Sequence, residues 1–307
     1  AVSLAVGAIP EGLPAAMTIT LAIGVAKMAQ RHAIIRKLPA VETLGSTTIV
    51  CSDKTGTLTQ NEMTVQQLWG GGESVHVSGI GYAPEGEFLA GNAAVDPTSN
   101  AAIWECLRAG LLCNDSRVVG SDVGWRIEGD PTEGALLTVA QKAGLDPEQL
   151  SRELPRIDSV PFESQHQYMA TMHDQGQTEP RVVYLRGSVE SVLARCSCQM
   201  TRSGETKTLD SAEIQRQVDT LAAKGLRVLA FCRGERAANE DSVGHADVTE
   251  SLTFLGLQGM IDPPRPEAGR PVACRPRRRG IRARLRSRRS RTRMRWSALR
   301  PPGVPGQ

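Results

Sequence analysis

The stretch TTIVCSDKTGTLT, residues 47–59, decides the fold class of this chain. Its first part, Thr47–Cys51, is a short β-branched, apolar run that predicts a buried strand, and small hydroxylated residues follow around Asp53. In open parallel α/β sheets, ligands bind at the carboxyl ends of the strands, because loops and helix N-termini present backbone N–H groups there. We therefore expect Asp53 to stand at a strand end, as a carboxylate that can attack phosphorus.

The residues that follow Asp53 suit a phosphate acceptor. Attack by Asp53 on the γ-phosphate of ATP would give an aspartyl-phosphate, one of the recognised covalent intermediates. Lys54 can offset phosphate charge, and Gly56 lets the backbone turn tightly. Thr55 and Thr57 can donate hydrogen bonds. Thr55 stands where hydrolytic phosphatases of similar layout usually carry an acid/base aspartate. Because threonine cannot perform that proton transfer, we expect the phosphoenzyme to persist.

The seven residues Asp53–Thr59 (DKTGTLT) resemble the phosphorylation signature of P-type ATPases, which are cation pumps of the haloacid-dehalogenase-like fold. The resemblance implies an α/β fold class, with an incomplete Rossmann-like phosphorylation domain around Asp53. It also implies ATP as the phosphoryl donor and Mg²⁺ bound beside Asp53 and Thr55. The simpler alternative is a turn after a buried strand, in which Asp53 only caps a helix.

The composition indicates a globular chain joined to a basic segment. Of the 307 residues, 40% are hydrophobic and 4% aromatic, and the length allows two domains. Residues 269–307 contain 14 Arg and no Lys, Asp or Glu, so the rest carries a net charge of −11 although the whole chain carries +3. The seven cysteines form no C-x-x-C pair, which favours reduced thiols. A soft-metal site at Cys196-x-Cys198 is the alternative.

The first residues predict a membrane helix. Ala1–Ala26 is almost wholly apolar, and its length fits a membrane span. A cationic cluster follows it, which places residues 31–307 in the cytoplasm by the positive-inside rule: Lys27, Arg31, Arg36 and Lys37. The alternative is a buried helix of a soluble protein.

Glu11 is the ionisable residue within that span, in the run Pro10–Pro14 (PEGLP). Two prolines and a glycine free carbonyl oxygens from the helix, and together with a carboxylate these can coordinate a cation. The run resembles the fourth transmembrane helix of P-type pumps, where the glutamate ligates the transported ion. Oxygen ligands from Glu11 suit Ca²⁺, while Na⁺, K⁺, Mn²⁺ and protons stay open.

The remaining chain divides by changes in pattern. Short β-like runs mixed with helical stretches, such as Thr98–Leu112 and Thr132–Ala143, predict an inserted α+β domain. The resemblance assigns it to nucleotide binding. The predicted parts are a transmembrane helix at 1–30, a stalk and the first phosphorylation segment at 31–65, the nucleotide-binding domain at 66–255, a return to the phosphorylation domain at 256–268 and a disordered Arg-rich tail at 269–307.

Two runs of the insertion resemble the adenine side of the family's nucleotide site. Gly129–Leu137 (GDPTEGALL) places Glu133 where the family's glutamate contacts the nucleotide. The alternative is a helix start, with Asp130 as its cap and Glu133 in its first turn. In Pro161–Ser164 (PFES), Phe162 matches the aromatic ring that stacks on adenine, the alternative being a core side chain.

Four other residues complete the implied nucleotide site: Arg186, Gly187, Arg227 and Asp262. Arg186 and Gly187 replace a lysine-glycine pair of the family and keep the charge, whereas Gln167 replaces a lysine and weakens the positive lining. Arg227 matches an arginine that reaches the phosphates, the alternative being a solvated charge at a strand end. Asp262, in a DPPR run, matches a residue near the phosphates.

The Arg-, Pro- and Ser-rich residues 269–307 predict disorder. We interpret them as a frameshifted gene end. The rival is a basic tail that binds nucleic acid or anionic lipid, with nucleic acid an unlikely partner on this interpretation. The family's Mg²⁺-holding carboxylate motif and its actuator loop do not occur in the sequence, so we expect a chain truncated at both ends.

The sequence therefore predicts a fragment of a calcium-pump-like P-type ATPase. The partners expected are ATP, Mg²⁺, membrane lipid and a transported cation, Ca²⁺ first, at the plasma membrane of a prokaryote. We expect this chain by itself to be inactive, because Mg²⁺ charge neutralisation is central to phosphoryl transfer. The alternative is a catalytically inactive ATP-binding module or a truncated pseudogene product.

Overall fold

The computed structural model describes residues 12–37, 39–45, 49–121, 124–176, 178–268 and 282–286. The chain forms two compact units, one made of Ala1–Thr57 with Arg270–Gln307 and the other of Leu58–Gly269. Glu11 and most of the predicted tail lie outside the described residues.

The first unit begins with an apolar helix, α1 (Gly12–Ala29). Its hydroxyl groups are satisfied within the helix, since Thr18 donates to the Pro14 carbonyl at 2.9 Å and Thr20 to the Ala16 carbonyl at 2.7 Å. Several of its large apolar side chains are exposed: Leu13, Met17, Ile19 and Ile23. Among the described helices, α1 is the one whose length and composition would allow it to cross a membrane.

The first unit also contains the strand predicted before the DKTGTLT motif, but the predicted burial is wrong for Cys51, whose side chain is exposed. A short helix, α2 (Pro39–Gly45), lies in the predicted stalk, and strand β1 (Ile49–Asp53) ends at Asp53. The predicted tail contains a strand, Arg282–Arg286, which pairs with β1 in parallel. Its sequence, RARLR, alternates with the period of a strand, and the pairing gives the backbone groups of β1 hydrogen-bond partners.

The second unit is built on one large sheet with helices packed on it. Its strands are β2 (Thr64–Gly70), β3 (Glu73–Val77), β4 (Phe88–Ala90), β5 (Ala93–Ala94), β6 (Arg117–Ser121), β7 (Gly124–Glu128), β8 (Arg156–Glu163), β9 (Tyr168–His173), β10 (Arg181–Gly187), β11 (Cys196–Met200), β12 (Thr206–Thr208), β13 (Arg227–Arg236) and β14 (Leu252–Ile261). Its helices are α3 (Ala101–Leu112), α4 (Pro131–Lys142), α5 (Pro147–Glu153), α6 (Val189–Leu193) and α7 (Ser211–Ala223).

The main path of the sheet is antiparallel throughout, in the order β5-β4-β3-β2-β14-β13-β10-β9-β8. Strand β11 pairs in parallel with β14, and β6 and β7 form a separate hairpin. Strands β2 and β14 pair with each other, and both extend beyond the predicted 66–255 insertion. The compact unit Leu58–Gly269 therefore starts before and ends after that insertion.

Two hydrophobic cores lie on the two faces of this sheet. Helices α3, α4 and α5 cover one core, and α6 and α7 cover the other. Strand β10 divides its side chains between them with a period of two, since Val182 and Tyr184 enter the first core and Val183 and Leu185 the second. The mixed α/β architecture predicted for the insertion is confirmed, and its sheet is mostly antiparallel.

Candidate functional site

Asp53 is an exposed carboxylate at the end of β1. The Lys54 backbone N–H donates to its Oδ1 at 2.7 Å, and Gly56 turns the chain with a φ of 74°. Thr55 and Thr57 are exposed on the same turn. A phosphate could therefore reach the Asp53 carboxylate from solvent.

Glu133 lies in the first turn of α4. Asp130 caps this helix, since its carboxylate accepts hydrogen bonds from the backbone N–H groups of Thr132 and Glu133, and Pro131 occupies the first turn. The predicted cap is confirmed. It fixes the backbone that carries Glu133, so capping and a ligand-binding role do not exclude each other.

The Glu133 carboxylate is partly buried and held by three donors. Its Oε2 accepts from Ser116 Oγ at 2.7 Å and from the Asp115 backbone N–H at 3.2 Å, and its Oε1 accepts from Arg186. An ionised carboxylate offers about four acceptor positions. One position therefore remains for a ligand.

Arg186 is buried beneath Glu133, at 8% exposure. Its Nε donates to the Cys113 carbonyl at 2.6 Å, and its Nη2 lies 3.3 Å from Met169 Sδ and donates to Glu133. Its charge is thus matched by Glu133 inside the fold. Burial of both partners makes this pair costly to break, because either charge alone would be left without compensation.

Arg227 is exposed at the start of β13, and one of its guanidinium nitrogens lies 3.3 Å from Thr132 Oγ1. This contact brings a positive side chain to the N-terminus of α4, where the helix dipole also favours anions. Arg227 and Glu133 therefore lie at the same helix end.

Phe162 and Gly187 lie at the same end of three adjacent strands, β8, β9 and β10. Glu163 of β8, next to Phe162, pairs with Tyr168 of β9, which pairs with Gly187 of β10. Two strand spacings, or about 10 Å, therefore separate the β8 and β10 ends. Phe162 is 58% exposed, so its ring is not the core side chain that a lone strand Phe usually is.

Gly187 is required by the packing of β9 against β10. A Cβ atom on Gly187 would lie 2.5 Å from the Gln167 carbonyl oxygen. Gln167 itself has a φ of 58°, and its Oε1 accepts from Ser188 Oγ at 3.1 Å. The turn after Phe162 is therefore anchored to the start of α6.

Asp262 joins the two segments through which the chain enters and leaves the second unit. Its Oδ2 accepts from Thr59 Oγ1 at 2.5 Å, and its Oδ1 accepts from the backbone N–H groups of Asn61 at 2.9 Å and Glu62 at 3.3 Å. The Gln60 backbone N–H also donates to the Pro263 carbonyl at 3.0 Å. The Asp262 carboxylate is thus held in place where the two chain segments meet.

The Tyr82 hydroxyl lies close enough to Asp262 and to Asp130, the cap of α4, for both carboxylates to affect its pKa. Burial and the nearby Glu62 carboxylate raise the pKa of its hydroxyl to about 12, and the charges of Asp262 and Asp130 act in the same direction. Tyr82 is therefore a neutral side chain within range of both carboxylates.

Sequence reasoning missed Ser116, which donates to Glu133 and accepts from the Asp130 backbone N–H at 2.9 Å. A signal for it lies in Gly129, whose φ is 129° and whose Cβ, if present, would collide with Ser116 Oγ. Gly129, the first glycine of GDPTEG, therefore makes room for the Ser116 side chain. Ser116 lies outside the motif, so the motif alone cannot identify it.

The six nucleotide-site residues predicted from the sequence all lie in the second unit. Glu133, Arg186 and Arg227 lie at the α4 N-terminus, and Phe162 and Gly187 lie at the ends of β8 and β10. The family model for "P-type ATPase, cytoplasmic domain N" matches residues 102–267, more than half of the chain. The chain belongs to the P-type cation-transporting ATPases.

Relatives within this P-type ATPase family align with the chain over a longer stretch than the family model does. The chain is 53% identical over 274 residues to the cation-transporting ATPase pma1 of Synechocystis sp., covering 87% of this chain and 30% of that protein. It is 49% identical over 275 residues to the probable cation-transporting ATPase F of Mycobacterium tuberculosis, covering 89% and 30%. It is 41% identical over 270 residues to a calcium-transporting ATPase of Bacillus subtilis, covering 87% and 30%. The chain thus spans about a third of these relatives' length.

A cavity of about 820 Å³ lies beside the predicted nucleotide-site residues, none of which lines it. It shares Asn114 and Ser116 with the surroundings of Glu133, and it extends toward Arg156 and His173. Its volume is enough for a small molecule, but the exposed Phe162 and Arg227 lie outside its lining. The sequence-predicted site is therefore an open surface rather than this cavity.

Proposed function

We propose that this chain carries the phosphorylation and nucleotide-binding sites of an ATP-driven P-type cation pump. The observation that carries the proposal is the exposed Asp53 carboxylate at the end of β1, followed by its KTGTLT turn, in a chain of this family. A carboxylate oxygen of Asp53 attacks the γ-phosphorus of ATP. The bond from that phosphorus to the β–γ bridging oxygen breaks, an aspartyl-phosphate forms and ADP leaves.

The residues of the Asp53 turn fit Mg²⁺, because carboxylate and threonine oxygens are hard donors and both side chains are exposed. Asp53 and Thr55 would hold the ion, which when bound supplies charge neutralisation for phosphoryl transfer. Lys54 and Thr57 would contact the transferred phosphate. On this proposal the turn belongs to a haloacid-dehalogenase-like phosphorylation domain.

The nucleotide would bind across the α4 N-terminus and the β8 and β10 ends. Phe162 would stack on adenine, and Glu133 would accept a hydrogen bond at its remaining position. Arg227 and Asp262 would lie on the phosphate side. Arg186 and Gly187 would act beneath the ligand, Arg186 by fixing Glu133 and Gly187 by allowing β9 to approach β10.

Calcium is the cation that we propose for transport. One relative, from Bacillus subtilis, is named a calcium-transporting ATPase, and Glu11 would supply an oxygen ligand within the membrane. Helix α1 would contact lipid in the plasma membrane of a prokaryote, and residues 31–307 would lie in the cytoplasm.

Phosphorylation of the full chain in detergent tests this proposal. Incubation with γ-labelled ATP and Mg²⁺ decides between phosphoryl transfer by this chain and the inactivity expected from its sequence: an acid-stable, hydroxylamine-sensitive label that is absent in Asp53→Asn supports phosphoryl transfer, and the absence of label in the parent chain supports inactivity. Arg202→Met changes an exposed arginine paired with Glu73 and serves as the matched control, which should keep the label. A label that persists in Asp53→Asn would exclude Asp53 as the acceptor.

A second candidate is an ATP-binding module without phosphoryl transfer. It is favoured by one observation, that all six predicted nucleotide residues lie in the compact unit Leu58–Gly269. Binding of a fluorescent ATP analogue that is lost in Phe162→Ala, in a chain that takes up no label, would support this module.

A further inference from the structure

Glu163, His166 and His245 form a cluster that the nucleotide site does not use. Each residue offers one ligand atom, and these atoms all lie within 4.8 Å of one another. Glu163 is the last residue of β8, His166 belongs to the turn between β8 and β9, and His245 begins the short helical turn His245–Val248. Glu163 is exposed and the two histidines are partly buried, so an ion could enter from solvent.

The distances in this cluster fit a small divalent ion. Glu163 Oε2 and His166 Nε2 are 3.5 Å apart, and the ligand atoms of all three residues lie within 4.8 Å of one another. Zinc ligands at about 2.0–2.2 Å in tetrahedral arrangement are separated by about 3.4 Å. The Glu163–His166 separation matches this value, and ligand separations of up to 4.8 Å elsewhere in the cluster would have to shorten when the ion binds.

The Gln165 side chain lies between two of the three proposed ligands, Glu163 and His166. Its Nε2 lies 2.9 Å from Glu163 Oε2 and 3.0 Å from His166 Nε2. When this amide donates to both, Glu163 and His166 direct their lone pairs to one point. A carboxylate oxygen and an imidazole nitrogen thus both face the positively polarised N–H groups of one amide, as they would face a bound metal cation.

His245 is oriented by a partner in the core. Tyr168 Oη lies 2.6 Å from His245 Nδ1, and the Arg195 guanidinium packs over the Tyr168 ring at 4.3 Å. When Nδ1 donates its hydrogen to the tyrosine oxygen, Nε2 carries the lone pair. Such hydrogen bonds from the outer nitrogen fix the tautomer of metal-binding histidines.

The backbone around the cluster is also fixed. The His166 carbonyl accepts from Ser191 Oγ at 2.8 Å, and the Asp247 carboxylate accepts from the Gly244 backbone N–H at 2.8 Å. Both loops are thus held before any ion binds, which lowers the cost of ordering them.

We propose that Glu163, His166 and His245 bind one divalent transition-metal ion of the Zn²⁺ type, joining the β8–β9 turn to the segment before β14. Two imidazoles and one carboxylate favour such ions over Mg²⁺ and Ca²⁺, which prefer all-oxygen sites. Three protein ligands leave a fourth position for water. The proposal does not depend on ATP binding or on Asp53.

Zinc titration of the full, tag-free chain in detergent, after chelator treatment, tests the site by calorimetry. We expect one Zn²⁺ to bind at this cluster with an affinity that His166→Ala and His245→Ala each lower by more than about 100-fold, since even outer-shell changes cost 10–100-fold. His76→Ala removes an exposed histidine of β3, at the other end of the sheet order, and should leave this affinity unchanged.

Two further variants keep the test decisive if a histidine variant unfolds. Tyr168→Phe keeps the buried ring but removes the hydroxyl on His245, and should weaken Zn²⁺ binding about tenfold. Gln165→Ala removes the competing amide, and should bind Zn²⁺ at least as tightly as the parent chain. Equal Zn²⁺ affinity in the parent, His166→Ala and His245→Ala, or an equal loss in His76→Ala, would overturn the proposal.

Discussion

The Asp53 turn and the Glu133 pocket are built in opposite ways. The hydrogen bond that Asp53 accepts at 2.7 Å comes from Lys54, the next residue, and the carboxylate is exposed. The donors to the Glu133 carboxylate come from 17, 18 and 53 residues away: Ser116, Asp115 and Arg186. The Asp53 turn is a local arrangement that can be predicted from a short motif, whereas the Glu133 pocket forms only when the chain folds.

This difference has an energetic consequence. A side chain held by its chain neighbour and by water contributes little to folding, while a buried charge held by distant partners contributes a great deal. Substitutions in the two regions, Arg186→Met and Asp53→Asn, should therefore separate stability from activity. Substitutions of His173 and Asp262 extend the comparison to two other groups held by distant partners.

Arg186→Met should have the largest effect on stability. It leaves Glu133 partly buried without its positive partner, and we expect the free energy of unfolding to fall by about 4 kcal/mol. Urea unfolding of the full chain, followed by near-ultraviolet circular dichroism, measures this.

The matched control for this pair is Arg202→Met, because Arg202 and Glu73 form an ion pair in which both side chains are largely exposed. We expect that substitution to cost less than about 1 kcal/mol. Equal losses in the two variants would mean that burial does not distinguish the Glu133 pocket.

His173 should make stability depend on pH. Its ring nitrogens lie 3.0 Å from the Leu154 carbonyl and 2.9 Å from Thr171 Oγ1, and burial lowers its pKa from its ordinary 6.5 to about 4. The ring is then neutral in the folded unit but protonates in the unfolded chain below pH 6.5. Stability from this group should be lost as pH falls from about 6.5 to about 4, by about 3 kcal/mol in total.

Unfolding free energies measured between pH 7 and 4 check the His173 prediction. The decline should be smaller in His173→Gln than in the parent chain, and it should be unchanged in His76→Gln, which alters an exposed histidine. The same decline in all three proteins would show that other groups cause it.

Asp262→Asn should have an intermediate effect. The carboxylate accepts three hydrogen bonds that tie the two connecting segments together, and hydrogen bonds to charged groups contribute about 1.5–3 kcal/mol. We expect a loss of about 2 kcal/mol, because the amide keeps one acceptor oxygen. Hydrogen exchange at the Asn61 and Glu62 amides should also become faster, and unchanged exchange would contradict this role.

Asp53→Asn should have the smallest effect on stability. An exposed surface substitution usually changes the free energy of unfolding by less than about 0.5 kcal/mol. If the proposed function is right, the same substitution abolishes the phosphorylated species completely. A large loss of stability in Asp53→Asn would show that this turn, like the Glu133 pocket, depends on distant contacts.

The elements that sequence predicted best are those with a local cause. The strand that ends at Asp53 and the cap of α4 at Asp130 follow from neighbouring residues, and both are present. The strand Arg282–Arg286 was not predicted, because its charge suggested disorder and its pairing partner lies more than 200 residues away. The order of the large sheet was not predicted either, since β2 pairs with β14 across almost the whole unit.

The sequence by itself determined the family, the strand that ends at Asp53 and the positions of the nucleotide-site candidates, because each depends on a short run of residues. The tertiary structure alone decided that Arg186 neutralises Glu133, that Ser116 completes the pocket and that His166 meets His245. These contacts join residues that are distant in the chain, and they exist because burial and backbone hydrogen bonding of one large antiparallel sheet bring its strand ends together.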